Sequence, residues 1–72
     1  MNELKRRILF AVDSNDPSFA KIAKAVGISE DELTKPLSEL MNDGYARMKE
    51  DIYDHDWVYR LNAKGRSEVS DV

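Results

Sequence analysis

The sequence predicts an α+β domain of three helices, a C-terminal two-stranded β-hairpin and a short final helical turn. Three observations carry this prediction. Two helical patterns within FAKIAKAVGISEDELTKPLSELMNDGY, from Phe19 to Tyr45, are joined by a turn of only a few residues, which is a helix-turn-helix signature. After Gly44 the apolar period changes from helical to two-residue alternation, the mark of strands. Finally, the 72 residues hold no internal repeat, low-complexity segment or linker. Residues 1–72 are therefore expected to form one domain, fraying at 1–2 and 68–72.

Helix 1 is expected from Asn2 to about Asp13, because Leu4, Ile8, Ala11 and Val12 recur at the spacing of one helix face. Leu9 and Phe10 widen that arc, either completing the core from a second side or covering a partner. Lys5, Arg6 and Arg7 lie off the stripe and have two readings, a phosphate-touching cluster or an ordinary solvated surface. The turn formers Ser14-Asn15-Asp16-Pro17-Ser18 end the helix, since Pro17 fixes its own backbone and pushes Asp16 out of helical geometry. A short extended piece around Ser18 and Phe19 follows.

Helix 2 is expected from about Ala20 to Val26, with Ile22, Ala23 and Val26 inward and Lys21 and Lys24 on its outer face; Gly27 stops it. Ser29 and Glu32 form an S-x-x-E capping box that starts helix 3. Glu30, Asp31 and Glu32 fill the first turn, where the helix dipole favours negative charge. The core stripe is Leu33, Leu37, Leu40 and Met41. Pro36 removes one backbone bond and crowds the preceding turn, so a kink is expected there. Asn42-Asp43-Gly44 ends the helix, with Gly44 as its left-handed cap.

In the first strand Ala46 and Met48 fall on one side, Arg47 and Lys49 on the other. In the second, Trp57, Tyr59 and Leu61 alternate with Val58 and Arg60. The polar run from Glu50 to Asp56 reads as the hairpin loop. Asn62 stands where it would cap a last helical turn over 63–69, which Gly65 weakens.

A chain this short buries about 60% of the surface its unfolded form exposes, so the core is thin and total stability is on the order of 4–11 kcal/mol. The absence of cysteine removes disulfides and thiolate nucleophiles and suits a reducing compartment. The apolar run from Ile8 to Val12 is too short for a signal-peptide core or a membrane span, so a cytoplasmic location without membrane association is expected. Eleven basic residues against fourteen acidic ones give a formal charge of −3 and a pI near 5.0. That sign is opposite to a typical nucleic-acid module, which makes the distribution of charge decisive.

Taken together, the order helix, helix-turn-helix, hairpin, short helix resembles the winged helix-turn-helix domains of small prokaryotic repressors of the multiple-antibiotic-resistance and arsenical-resistance types. The residues from Phe19 to Ser29 look like that family's helix 2 and turn, and Leu33 to Leu40 like its recognition helix. Trp57-Val58-Tyr59-Arg60-Leu61-Asn62-Ala63-Lys64-Gly65-Arg66 is similar to the strand and tyrosine-arginine-leucine segment that follows its wing. The resemblance covers nearly the whole chain and implies a DNA-binding transcriptional regulator, with helix 3 in the major groove and the wing beside it. Carried over residue by residue, Glu30, Asp31, Thr34, Lys35 and Ser38 occupy the reading positions of helix 3. Lys21, Lys24, Arg47 and Lys49 occupy the phosphate-contacting positions. Duplex DNA, bound weakly by each protomer, is then the expected partner, with a homodimer as the assembly that strengthens it.

The carboxylates oppose this reading. Three in succession at the front of a recognition helix face a polyanion, and among the bases only cytosine, through its amino group, offers them a partner. They have a structural explanation as capping-box and dipole partners. The wing tip departs from the family pattern too, since Asp51, Asp54 and Asp56 stand where DNA-binding members usually place arginine or lysine. The alternative expectation is a protein-interaction module in which Glu30, Asp31, Tyr53, Asp54, Asp56 and Trp57 meet a basic protein partner, Tyr53 and Trp57 serving as anchors. Trp57 also has a simpler reading, as a cover over the edge of the core.

No cofactor is expected, since there is no glycine-rich phosphate loop. No metal is expected either: His55 between Asp54 and Asp56 lacks a second histidine or a cysteine to complete a site. Nor does the sequence pair a nucleophile with a base, so it predicts no enzyme.

Overall fold

The computed structural model describes residues 2–14, 16–53 and 55–70. Asn2 and Ser18 open the first two helices, each accepting a backbone N–H three residues on. The resulting helices are α1 (Glu3–Val12) and α2 (Phe19–Val26). Gly27 terminates α2 at φ +84°, a conformation that costs glycine little. At the head of α3 (Glu30–Asn42), Ser29 Oγ accepts from Glu32 N–H at 3.1 Å and Glu32 Oε1 accepts from Ser29 N–H at 3.2 Å, so the capping box is present in full. Pro36 lies inside α3, which continues as one helix on both sides of it.

The hairpin comprises β1 (Ala46–Asp51) and β2 (Asp56–Leu61), paired antiparallel from Ala46 opposite Leu61 to Asp51 opposite Asp56. Both strands run further than the polarity of the loop implied, because the ladder absorbs Glu50, Asp51 and Asp56 and leaves only residues 52–55 to turn. His55 takes φ +54° in that turn and donates its N–H to the Asp51 carbonyl at 2.8 Å. The extended piece before α2 joins the hairpin: Ser18 bridges Val58, and Tyr59 N–H donates to the Pro17 carbonyl at 3.0 Å.

The final turn is a fourth helix of eight residues, α4 (Ala63–Ser70). Asn62 opens it through its backbone carbonyl, which accepts from Arg66 N–H at 3.0 Å, but no described bond joins its side chain to the helix. Its amide instead donates to the Gly44 carbonyl at 3.2 Å and accepts from Arg47 at 3.2 Å, tying the start of β1 to the end of β2. Of the ends expected to fray, Asn2 caps α1 and residues 68–70 are helical; Met1, Asp71 and Val72 lie outside the described residues.

The core joins Ile8, Leu9 and Val12 of α1, Ile22, Ala23 and Val26 of α2, and Leu33, Leu37 and Leu40 of α3 with Ala46, Tyr59 and Leu61 of the hairpin. Leu9 thus completes the core, whereas its neighbour Phe10 stays 46% exposed. Two of the cations of α1 bond within the fold. Lys5 pairs with Glu39 of α3 at 3.4 Å, and Arg7 donates to the Val26 carbonyl at 2.9 Å, where the end of α2 attracts positive charge. Lys64 does the same for α3, donating to the Asp43 carbonyl at 2.9 Å while lying 4.4 Å from the centre of the Tyr45 ring.

Candidate nucleic-acid interface

Burial of Leu33, Leu37 and Leu40 fixes how α3 presents its other residues, because side chains one hundred degrees apart around the axis cannot all face inward. Asp31, Thr34, Lys35 and Ser38 are all exposed. Thr34 is partly committed, since its hydroxyl donates to the Glu30 carbonyl at 3.0 Å within its own helix. The three carboxylates of the first turn separate into different environments. Glu32 is held by the capping box, Glu30 borders a groove against the hairpin, and Asp31 belongs to neither. On α2, inward packing of Ile22, Ala23 and Val26 leaves Lys21 and Lys24 exposed.

The register of the hairpin sorts its residues into two faces. Ala46, Tyr59 and Leu61 are buried on one, which continues outward as Met48, Glu50 and Trp57. Arg47 and Lys49 lie on the other, with Arg60 directly opposite Arg47. The hairpin therefore keeps Arg47 and Lys49 on the far side from Met48 and Trp57, the residues that border the start of α3. Arg60 is a cation that the sequence reading did not assign to the interface, although the alternation through Trp57, Tyr59 and Leu61 already placed it outward. Its Nε pairs with Asp16 Oδ1 at 3.0 Å, and Asp16 adopts φ +48°.

The acidic and aromatic candidates are distributed along the same hairpin. Tyr53 is 88% exposed and Trp57 53%, so Trp57 projects from the domain and is not part of the core. Asp56 begins β2, its Oδ1 accepting from Trp57 N–H at 2.8 Å. Asp54 lies outside the described residues. Burial first, and the charge of Asp56 second, raise the Tyr59 phenol above its ordinary 10.0. Among the described residues no group of three histidine, cysteine or acidic side chains is gathered to hold a metal, and no helix is long and apolar enough to cross a membrane.

No protein-family model and no curated protein matches the chain. Its backbone is similar to several solved structures. A variant of ZitR from Lactococcus lactis superposes with a TM-score of 0.90 at 21% identity, over 99% of this chain and 49% of that one. FabT from Streptococcus pneumoniae, in complex with DNA, gives 0.89 at 17% identity, over 97% and 50%. MarR from E. coli in its reduced form gives 0.89 at 15%, over 99% and 54%. The chain thus spans about half the length of the structures it matches. The superpositions run along nearly all of its length, and the chain has the winged helix-turn-helix fold.

Proposed function

We propose that the chain is a small winged-helix transcriptional regulator that binds duplex DNA through α3 and the hairpin. The carrying observation is that a fold shared with a regulator solved on DNA leaves Lys21, Lys24 and Lys35 exposed on the helix-turn-helix. Arg47 and Lys49 add phosphate contacts from the wing, and Ser38 and Thr34 offer hydroxyls to base edges or backbone. Of the carboxylates that oppose DNA, Glu32 is turned back onto the Ser29 N–H by the capping box.

Five phosphate contacts correspond to a log–log salt slope of about −4.5, so affinity for generic duplex DNA falls about 500-fold between about 50 and 200 mM salt. A titration at both concentrations reads this directly. Absence of binding at the lower salt, with protein near about 100 μM, would reject the reading, since nonspecific dissociation constants for DNA-binding proteins are at or below that level. A homodimer is the assembly we infer for useful affinity, with the half-exposed Phe10 of α1 as its contact. A monomeric mass by light scattering at high concentration argues against it.

A further inference from the structure

A groove of about 350 Å³ opens between the starts of α2 and α3 and the inner face of the hairpin. Glu30 and Asp56 line it together with Phe19, Met48, Trp57 and Tyr59. No lysine or arginine lines it among the described residues. Among the described residues Glu30 has no side-chain hydrogen bond or ion pair, and the one hydrogen bond Asp56 Oδ1 accepts comes from the N–H of its neighbour Trp57. Tyr59 is 94% buried by difference from its 6% exposure, and Phe19 meets its ring edge-on at 6.2 Å. Its hydroxyl has no hydrogen-bond partner among the described residues. Because no fully buried polar atom is left unsatisfied, that hydroxyl still reaches solvent through the groove it lines.

Two carboxylates, an available phenol and a set of rings and thioether define one ligand chemistry: an apolar stem ending in a planar, multiply donating cation. Phosphate is excluded by the two negative charges. A guanidinium satisfies the carboxylates through paired N–H donors and stacks on an indole, which an ammonium does less well. The volume is at the lower limit of ligand pockets and suits a single long side chain. Within the groove's own lining, Met48 and Trp57 are 44% and 53% exposed, apolar surface that a free amino acid would leave largely uncovered and a polypeptide would bury.

We infer that this groove receives an arginine side chain from a basic segment of a partner protein, held between Glu30 and Asp56 and stacked on Trp57. The groove uses no cation assigned to phosphate, and because Glu30 opens the helix proposed to meet DNA, a bound arginine and a duplex compete for the start of α3. Trp57 is the only tryptophan in the chain, so its fluorescence reports occupancy directly.

The test is a fluorescence titration of the intact chain with acetyl-Ala-Leu-Arg-Leu-Ala-amide. The same peptide with citrulline in place of arginine keeps the shape and removes the charge, and free arginine supplies the charge without a chain. The arginine peptide is expected to bind, with the citrulline peptide about tenfold weaker or worse. Glu30→Gln with Asp56→Asn should lose affinity by about tenfold, while Asp31→Asn with Glu68→Gln, which changes net charge equally outside the groove, should not. All four positions lie toward the surface, and circular dichroism verifies that each variant is folded. Equal loss in the two double variants, or no response to the arginine peptide at millimolar concentration, overturns the inference. Free arginine binding as tightly as the peptide overturns it as well, because the groove would then be a small-molecule site.

Discussion

Gly65 of α4 packs directly on the carbonyl oxygen of Tyr45, so that a Cβ at position 65 would overlap that oxygen and press on the Leu61 side chain. Glycine usually weakens a helix by about 1 kcal/mol relative to alanine. Here the ordinary expectation reverses, because the clash is with backbone, which cannot turn aside. Gly65→Ala should destabilise the domain by about 1–3 kcal/mol despite its better helix propensity, read as a lower midpoint in urea unfolding. An unchanged or higher midpoint would mean that α4 shifts away from β1 without cost.

Leu37, 2% exposed, lies at the centre of the buried stripe of α3. Leu37→Ala should cost about 2–5 kcal/mol, a large part of the roughly 4–11 kcal/mol expected for a domain of this size. The variant should be partly unfolded at 37 °C by circular dichroism, whereas Leu37→Met, which conserves volume, should lose less than about 1.5 kcal/mol.

An unfolded tyrosine ionises near about pH 10, and burial together with Asp56 holds Tyr59 protonated beyond that point. The folded state therefore keeps a proton that the unfolded state has released. By linkage, this site leaves stability unchanged below the unfolded value and lowers it as pH rises from there toward the higher folded value. Tyr59→Phe should remove this contribution. Thermal midpoints measured through the alkaline range should thus decline less steeply in the variant than in the parent.

Asp31 is the carboxylate of the first turn of α3 that neither the capping box nor the hairpin groove employs. If α3 faces DNA, Asp31→Lys should strengthen binding and steepen the log–log salt slope by about 0.9, the increment for one added phosphate contact. Fluorescence anisotropy with a labelled duplex at several salt concentrations measures both quantities. An unaltered slope would place the start of α3 away from the phosphates.

The parts of the fold that are local in the chain could be read from it. Ser29 and Glu32 are three residues apart and satisfy each other; Gly27 and Gly44 stop their helices; and the alternation at 46–49 and 57–61 assigns each side chain of the hairpin to a face. What could not be read depends on partners distant in sequence. Asn62 stands at the start of α4 as expected, yet its side-chain amide bonds Gly44 and Arg47, which only the closed hairpin brings near. Leu9 and Phe10 are adjacent and both apolar, and the approach of the other helices decides that only Leu9 is covered. The opposition of Arg47 and Arg60 needs the register, which fixes which residues of two alternating strands meet. The sequence reading grouped Glu30, Asp56 and Trp57 as members of one interaction surface, but that they line a common groove with Phe19, Met48 and Tyr59 depends on the packing of the hairpin against α2 and α3.

The bond from Tyr59 N–H to the Pro17 carbonyl, with the bridge between Ser18 and Val58, attaches the second strand of the hairpin to the residues that open α2. The hairpin is thereby clamped along its base and cannot swing without dragging the first helix of the helix-turn-helix with it. One strand of the hairpin and the entry to α2 therefore form a single backbone-bonded unit, so a substitution that breaks the Pro17–Tyr59 bond loosens both together.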